Sequence, residues 1–245
     1  MMQIAGNSSV DHRIRRRGSV NARESFINGI AMAIEYVTAL TELERDALGE
    51  IANIAMARAA TSLRQMVEHQ VLLSVPAVEI LSQEAAAQVV GTPDNRSLVA
   101  VRQDFNGAFS GRAMLIFPET NSLELVRAVV GRPLSLEDIV DLEDEALAET
   151  GNIILNSWVA TIANLLKRNL QMSLPVVVRG DGKDVFAVGK SARTSVLFLR
   201  IRFEISHKEI QGYVALLMDI PSIEELRSLV ADFVVRITRT GGGTE

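Results

Sequence analysis

Residues Thr41 to Glu68 read TELERDALGEIANIAMARAATSLRQMVE. Thr41, followed three residues on by Glu44, forms a capping box, in which each side chain satisfies a backbone N–H at the start of a helix. The residues that follow are rich in Ala, Leu, Glu and Arg, all good helix formers. Leu48, Ile51, Ala52, Ala55, Ala59 and Met66 fall on one stripe at helical spacing, and Asp46, Glu50, Asn53 and Arg64 fall on the opposite one. The stretch therefore predicts a long helix with one buried face and one polar face toward solvent. Pro76 lies 23 residues after Asn53, inside VLLSVPAVEIL. A proline there predicts an edge or interrupted strand, because it cannot donate to a ladder.

The arrangement returns 99 residues later as Glu145, Glu149, Asn152 and Pro175. Leu147, Ile154, Trp158 and Leu165 form the apolar stripe of this second helix, expected over 140–169 after a polar connection, SLEDIVDLED. Gly111–Pro118 also resembles the stretch from Gly212 to Leu216, which runs on to Pro221, and a capped amphipathic helix follows each. Internal similarity at this period marks a duplicated unit. The expected fold is α+β: two pseudo-symmetric helix–strand–strand–helix repeats sharing an antiparallel sheet, with the two long helices packed on one side. Residues 1–40 read as an N-terminal extension, a basic tail then a short helix over 24–39. Residues 41–236 read as a single domain with repeats 41–131 and 140–236, and 237–245 as a flexible tail.

Further elements follow from local signals. Ser82 caps a short helix, QEAAAQVV, ended by Gly91. Strands are expected over 98–105 and 108–117, with Asn106-Gly107 as a two-residue hairpin turn. Thr120 or Asn121 caps the next helix. A strand over 172–178 contains Pro175, GDGKD (180–184) is a turn, and strands follow over 185–189, 195–205 and 210–219.

Composition removes whole classes of function. The 245 residues include no cysteine, so disulfides and thiolate chemistry are excluded. Three scattered histidines give no metal spacing, and a net charge of −5 argues against nucleic-acid binding. No apolar run reaches the roughly 18 residues that cross a bilayer. Arg13, Arg15, Arg16 and Arg17 precede an apolar stretch, but Glu24, Asn28 and Glu35 interrupt the pattern of a signal peptide. The expected setting is the cytoplasm, without membrane insertion.

On a helix, Glu50 and Asn53 project side by side, as do Glu149 and Asn152. A carboxylate can pair with a lysine, and an amide can accept and donate at once, so it can hold a water in a chosen direction. Neither is a nucleophile, so any catalysis is positioning performed on a partner that brings its own reactive group. One Glu/Asn pair on an exposed helix face means little. Its recurrence with the same distance to a proline is what singles it out.

Asp46-x3-Glu50-x2-Asn53-x22-Pro76 resembles the motif of the CheC-type chemotaxis phosphatases, the group that includes CheC, CheX and FliY. The second copy matches at Glu149, Asn152 and Pro175, while Glu145 stands where the family prefers Asp or Ser. Met56-Ala57-Arg58 stands where relatives are commonly glycine-rich. The resemblance covers about residues 41–235. Two sites in one duplicated chain resemble the CheC branch more than CheX, and no further domain of the FliY type is expected after residue 235. The resemblance implies a phosphatase acting on the aspartyl-phosphate of a CheY-type response regulator. Asn53 and Asn152 would orient the attacking water, and Glu50 and Glu149 would pair with the regulator's lysine. Asp46, Pro76, Glu145 and Pro175 would be framework. It implies no cofactor on this chain, the Mg²⁺ belonging to the regulator, and CheD as a further partner. The competing expectation is a non-catalytic module that sequesters a response regulator or CheD.

Overall fold

A computed structural model describes residues 40–67, 70–91, 97–130, 136–188, 194–205 and 208–241. The expected basic tail, the helix over 24–39 and the last four residues lie outside them.

Helix α1 (Glu42–Val67) begins where the capping box places it: the Thr41 N–H donates to Glu44 Oε2 at 2.7 Å, and the Glu44 N–H donates to Thr41 Oγ1 at 3.2 Å. Strand β1 (Val71–Ser82) follows, then α2 (Gln83–Val90), capped by Ser82 and closed by Gly91. Strands β2 (Leu98–Gly107) and β3 (Gly111–Pro118) precede α3 (Glu119–Val130). The second half is α4 (Leu136–Leu166), β4 (Leu170–Met172), β5 (Val176–Gly180), α5 (Gly182–Phe186), β6 (Thr194–Ile205), β7 (Lys208–Asp219) and α6 (Ile220–Gly241).

All strand pairs are antiparallel, in the order β1-β6-β7-β3-β2-β4, with β5 also on β2. Exchanging each strand for its counterpart (β1 with β4 and β5, β2 with β6, β3 with β7) returns this order read from the other end. A pseudo-twofold axis therefore passes between β3 and β7, and each half lends its first strand to the other half's sheet edge. Side chains alternate across each strand. Val99, Val101, Phe105, Leu197, Leu199 and Phe203 enter one core with the apolar stripes of α1, α3, α4 and α6. Leu98, Ala100, Val196 and Phe198 enter a smaller core under α2 and α5. Both long helices thus lie on one face of the sheet, as expected, and Arg58 Nη1 joins them by donating to Thr161 Oγ1 at 3.2 Å.

Several local expectations are corrected. Asn106 and Gly107 are not the hairpin turn: they extend β2 to pair with Gln171 and Leu170 of β4, and Ala108–Ser110 makes the connection. Gly107 has φ of +154°, and a Cβ there would collide with the Asn169 carbonyl, so the glycine serves the approach of β4. From Leu136 the polar stretch LEDIVDLED is helical rather than a connection, since a charged sequence is compatible with helix. The strand over 172–178 is broken at Ser173–Pro175 into β4 and β5. GDGKD and the start of the expected strand at 185–189 give way to α5, started by a capping box at Asp181 and ended at Ala187, while residue 189 lies outside the described residues. Helix α3 starts at Glu119, earlier than Thr120 or Asn121, and Asn121 Nδ2 instead donates to the Gln211 carbonyl.

Candidate active surfaces

The first surface is built by α1 and edge strand β1. Leu48, Ile51, Ala52, Ala55, Met56, Ala59 and Leu63 bury one face of α1, which turns Asp46, Glu50 and Asn53 outward, all exposed. The β1–β6 register slips between Ser74 and Ala77, a bulge that takes Val75 and Pro76 out of the ladder. Proline has no N–H to offer, and the bulge frees the N–H of Val75. That N–H donates to Asn53 Oδ1 at 3.2 Å. The spacing from asparagine to proline thus has a physical reason: the proline interrupts the strand where the asparagine needs a backbone donor. The bond fixes the carboxamide, with its oxygen inward and its nitrogen outward.

The second surface is built by α4 with β2 and the break between β4 and β5. Glu145 and Glu149 are exposed, while Asn152 is half-buried rather than fully outward. Gly151 sets this depth, because a Cβ there would overlap Val101 of β2. The helix so brought down places Asn152 Oδ1 3.2 Å from Gln103 Nε2 and 2.6 Å from Asn156 Nδ2. Gln103 Nε2 also donates to the Ser173 carbonyl at 2.8 Å, and its own buried Oε1 has no partner among the described residues. Both acceptors face the amide nitrogen, which fixes the orientation of Gln103. Ser173 is held to β2 through its N–H to the Asp104 carbonyl, 2.8 Å, and through its Oγ, which accepts from the Asp104 N–H at 2.9 Å. Leu174 then points away from the protein, 85% exposed, beside Pro175 and exposed Val176.

Each long helix is anchored ahead of its motif by a buried or half-buried glutamate. Arg227 Nε donates to Glu44 Oε1 at 3.0 Å and Arg227 Nη2 to Oε2 at 3.1 Å. Burial alone would raise the Glu44 carboxyl, but the Arg227 hydrogen bond, the Thr41 backbone and hydroxyl bonds, and the Arg227 charge together hold it below the ordinary glutamate value. Glu143, the counterpart of Glu44, accepts from Ser122 Oγ at 2.9 Å and pairs with Arg179 at 3.1 Å.

The structure thus brings each Glu/Asn pair to the surface beside its proline. Among the described residues, Asp46, Glu50, Glu145 and Glu149 enter no hydrogen bond or ion pair, so these carboxylates face outward unengaged. The supporting residues were not singled out in the sequence: the Val75 N–H, Gln103, Asn156 and Ser173. Two of them carried a signal. Asn156 follows Asn152 at i+4, where helix side chains meet. Gln103 is the polar residue at a core-facing position among Val99, Val101 and Phe105.

The CheC-like family model matches residues 43–80, which span the first motif from Asp46 to Pro76. Over 202 residues the chain is 26% identical to the CheY-P phosphatase CheC of Bacillus subtilis (strain 168), covering 76% of this chain and 93% of that relative. The structure of Thermotoga maritima FliY shares the fold at a TM-score of 0.65 and 19% identity, over 79% of this chain and 98% of FliY. The FliM middle domain of H. pylori also shares it, at a TM-score of 0.51 and 12% identity over 78% and 99% of the two chains. The resemblance to the CheC-type family read from the two motifs is thereby shown. The fold alone does not select an activity, since FliY and FliM both carry it. No helix among the described residues is long and apolar enough to cross a membrane.

Proposed function

We propose that this CheC-like chain is a phosphatase for the aspartyl-phosphate of a CheY-type response regulator in chemotaxis signalling. The observation that carries the reading is Asn53: an exposed carboxamide on a rigid helix, its rotation fixed by the Val75 N–H at 3.2 Å. A fixed amide can hold a water without reorganising at the moment of reaction.

In the proposed reaction the water oxygen forms the new bond to phosphorus. The P–O bond to the aspartyl carboxylate breaks, the carboxylate leaves with the electron pair, and both water protons remain with inorganic phosphate. Asn53 orients the water, and Asn152 is the corresponding group of the second copy. Glu50 and Glu149, exposed and unengaged among the described residues, pair with the lysine of the docked regulator. The Mg²⁺ belongs to that partner. Asp46, Glu145, Pro76 and Pro175 frame the two surfaces.

The test is the half-life of a phosphorylated CheY-type regulator with and without the protein. Asn53→Ala combined with Asn152→Ala should remove the acceleration, a loss of about 10²–10³-fold for a lost orienting group. A double variant as fast as the wild type would sink the proposal. A second reading, a module that docks a regulator or CheD without turnover, is favoured by the exposed Leu174 and Val176 beside Pro175. Stoichiometric binding with an unchanged phosphate half-life would select it.

A further inference from the structure

The two carboxamides do not have the same chemistry left to offer. An amide oxygen accepts two hydrogen bonds, and its nitrogen donates two. Among the described residues, Asn53 Oδ1 receives one, from the Val75 N–H. Asn53 can therefore still accept one bond and donate two. Asn152 Oδ1 receives two, from Gln103 Nε2 at 3.2 Å and Asn156 Nδ2 at 2.6 Å. Asn152 is left able only to donate.

Both of the extra donors are peculiar to the second copy. Asn156 corresponds to Ala57 in the first half at the common spacing. Gln103 corresponds to Ile201 by strand register, because Val177 opposes Val101 as its counterpart Val78 opposes Leu199. Ala57 and Ile201 carry no side-chain donor, so neither of these positions can close the oxygen of Asn53. The Gln103 amide nitrogen is also committed to the Ser173 carbonyl, and its buried oxygen has no partner among the described residues.

Resting on the phosphatase reading, we propose that the first surface performs the hydrolysis, while Asn156 and Gln103 lock the second as a holding site for the phosphorylated partner. To orient a water toward phosphorus, an amide oxygen must accept one of the water's protons, which leaves the water's lone pair aimed at the phosphoryl group. Asn53 can do this. Asn152 can only donate to phosphoryl oxygens, which binds the group without directing an attack. Asn156 and Gln103 are positioning residues: they touch Asn152 and act through it.

The experiment is phosphate release from a phosphorylated CheY-type regulator by the full chain, with kcat and KM separated. Asn53→Ala should cost about 10²-fold in kcat, and Asn152→Ala should act mainly by raising KM. In the Asn53→Ala background, Asn156→Ala together with Gln103→Ile copies the first half. It should recover about tenfold in kcat at the second surface by freeing an acceptor. The reverse change, Ala57→Asn in the Asn152→Ala background, should depress kcat at the first surface. Ala57 is exposed, so that variant tests the idea without disturbing the core. Asn53→Ala retaining half the wild-type kcat, or no recovery from the paired substitution, would overturn the holding site while leaving the phosphatase reading intact. A wild-type chain that does not shorten the phosphate half-life removes both. The bond pattern has its own readout: the Asn156 side-chain amide protons should resonate downfield and exchange slowly, and Asn152→Ala should collapse both properties. Solvent-like Asn156 protons in the wild type would overturn the lock whatever the rates.

Discussion

The two edge strands carry a proline at corresponding positions and respond to it differently. At Pro76 the strand bulges and continues, and Asn53 takes the freed Val75 N–H. At Pro175 the strand breaks in two, Ser173 turns back to grip Asp104, and Leu174, the counterpart of Val75, swings outward. Val75 is buried where Leu174 is 85% exposed. The motif therefore specifies an interruption in backbone pairing, and the neighbours decide which hydrogen bond fills it. In the first copy a backbone group does so. In the second, two side chains do.

Four changes, one of them with a matched control in the other half, break or sharpen this contrast. The largest effect is expected from Asn53→Asp. A carboxylate still accepts the Val75 N–H, but it cannot donate and its charge repels a phosphoryl group. Phosphate release should fall by about 10²-fold or more with no change in thermal midpoint, because the structural bond survives. Next is Gly151→Ala, which drives a methyl group into Val101 and lifts α4 from β2. It should destabilise the protein by about 1–3 kcal/mol in denaturant titration and loosen the Asn152–Gln103 bond. Ala52→Gly, at the matching place in α1, should cost only about 1 kcal/mol, the helix-propensity difference plus a lost methyl contact.

Glu44→Gln comes third, at about 1 kcal/mol near neutral pH, from loss of the charge-assisted bonds to Arg227. Its pH dependence has a definite sign. The folded-state carboxyl titrates below the ordinary glutamate value of 4.5, so its contribution is fully present above that value. It disappears as pH falls through the lowered folded value. Acid denaturation curves of the Gln variant should therefore lose that part of the slope. A variant with the wild-type acid limb would show that Glu44 does not anchor α1. The smallest effect overall is that of Leu174→Ser, which should change stability by no more than about 0.5 kcal/mol because the side chain already meets water. Weakened binding of a phosphorylated regulator by the same variant would mark Leu174 as part of the docking surface.

What could be read from the residues in advance was what local chemistry determines. The Thr41–Glu44 box and the stripe from Leu48 to Ala59 are set within one or two helical turns, and they appear as expected. The misreadings have two causes, pairing between distant segments and local caps that outcompete turn chemistry. Asn106-Gly107 has turn propensity, but Gln171 and Leu170 recruit it into a ladder. Asp181 begins a short helix rather than a turn because its carboxylate caps the N–H groups of Lys183 and Asp184. At the site, the spacing displayed Asn53 and Pro76 but not the donor between them, since a backbone N–H leaves no mark in a sequence. Gln103 did leave one, as an amide facing a core of Val99, Val101 and Phe105, yet its partner became visible only once α4 was placed on β2.

The exchange of edge strands has a consequence for how the molecule comes into being. Val71 of β1 meets Ile205, and Glu44 of α1 meets Arg227, so the first surface is completed by chain made long after its own motif. During synthesis, Glu50 and Asn53 leave the ribosome early, while the strand and helix that seat them come late. Contacts of such sequence separation form slowly and expose unpaired edges while they wait. The nascent first half therefore has no competent surface of its own. A chain cut between the repeats should leave β1 and the β2 edge unpaired in the first fragment and β4, β5 and the β6 edge unpaired in the second, rather than yield two independent one-site proteins.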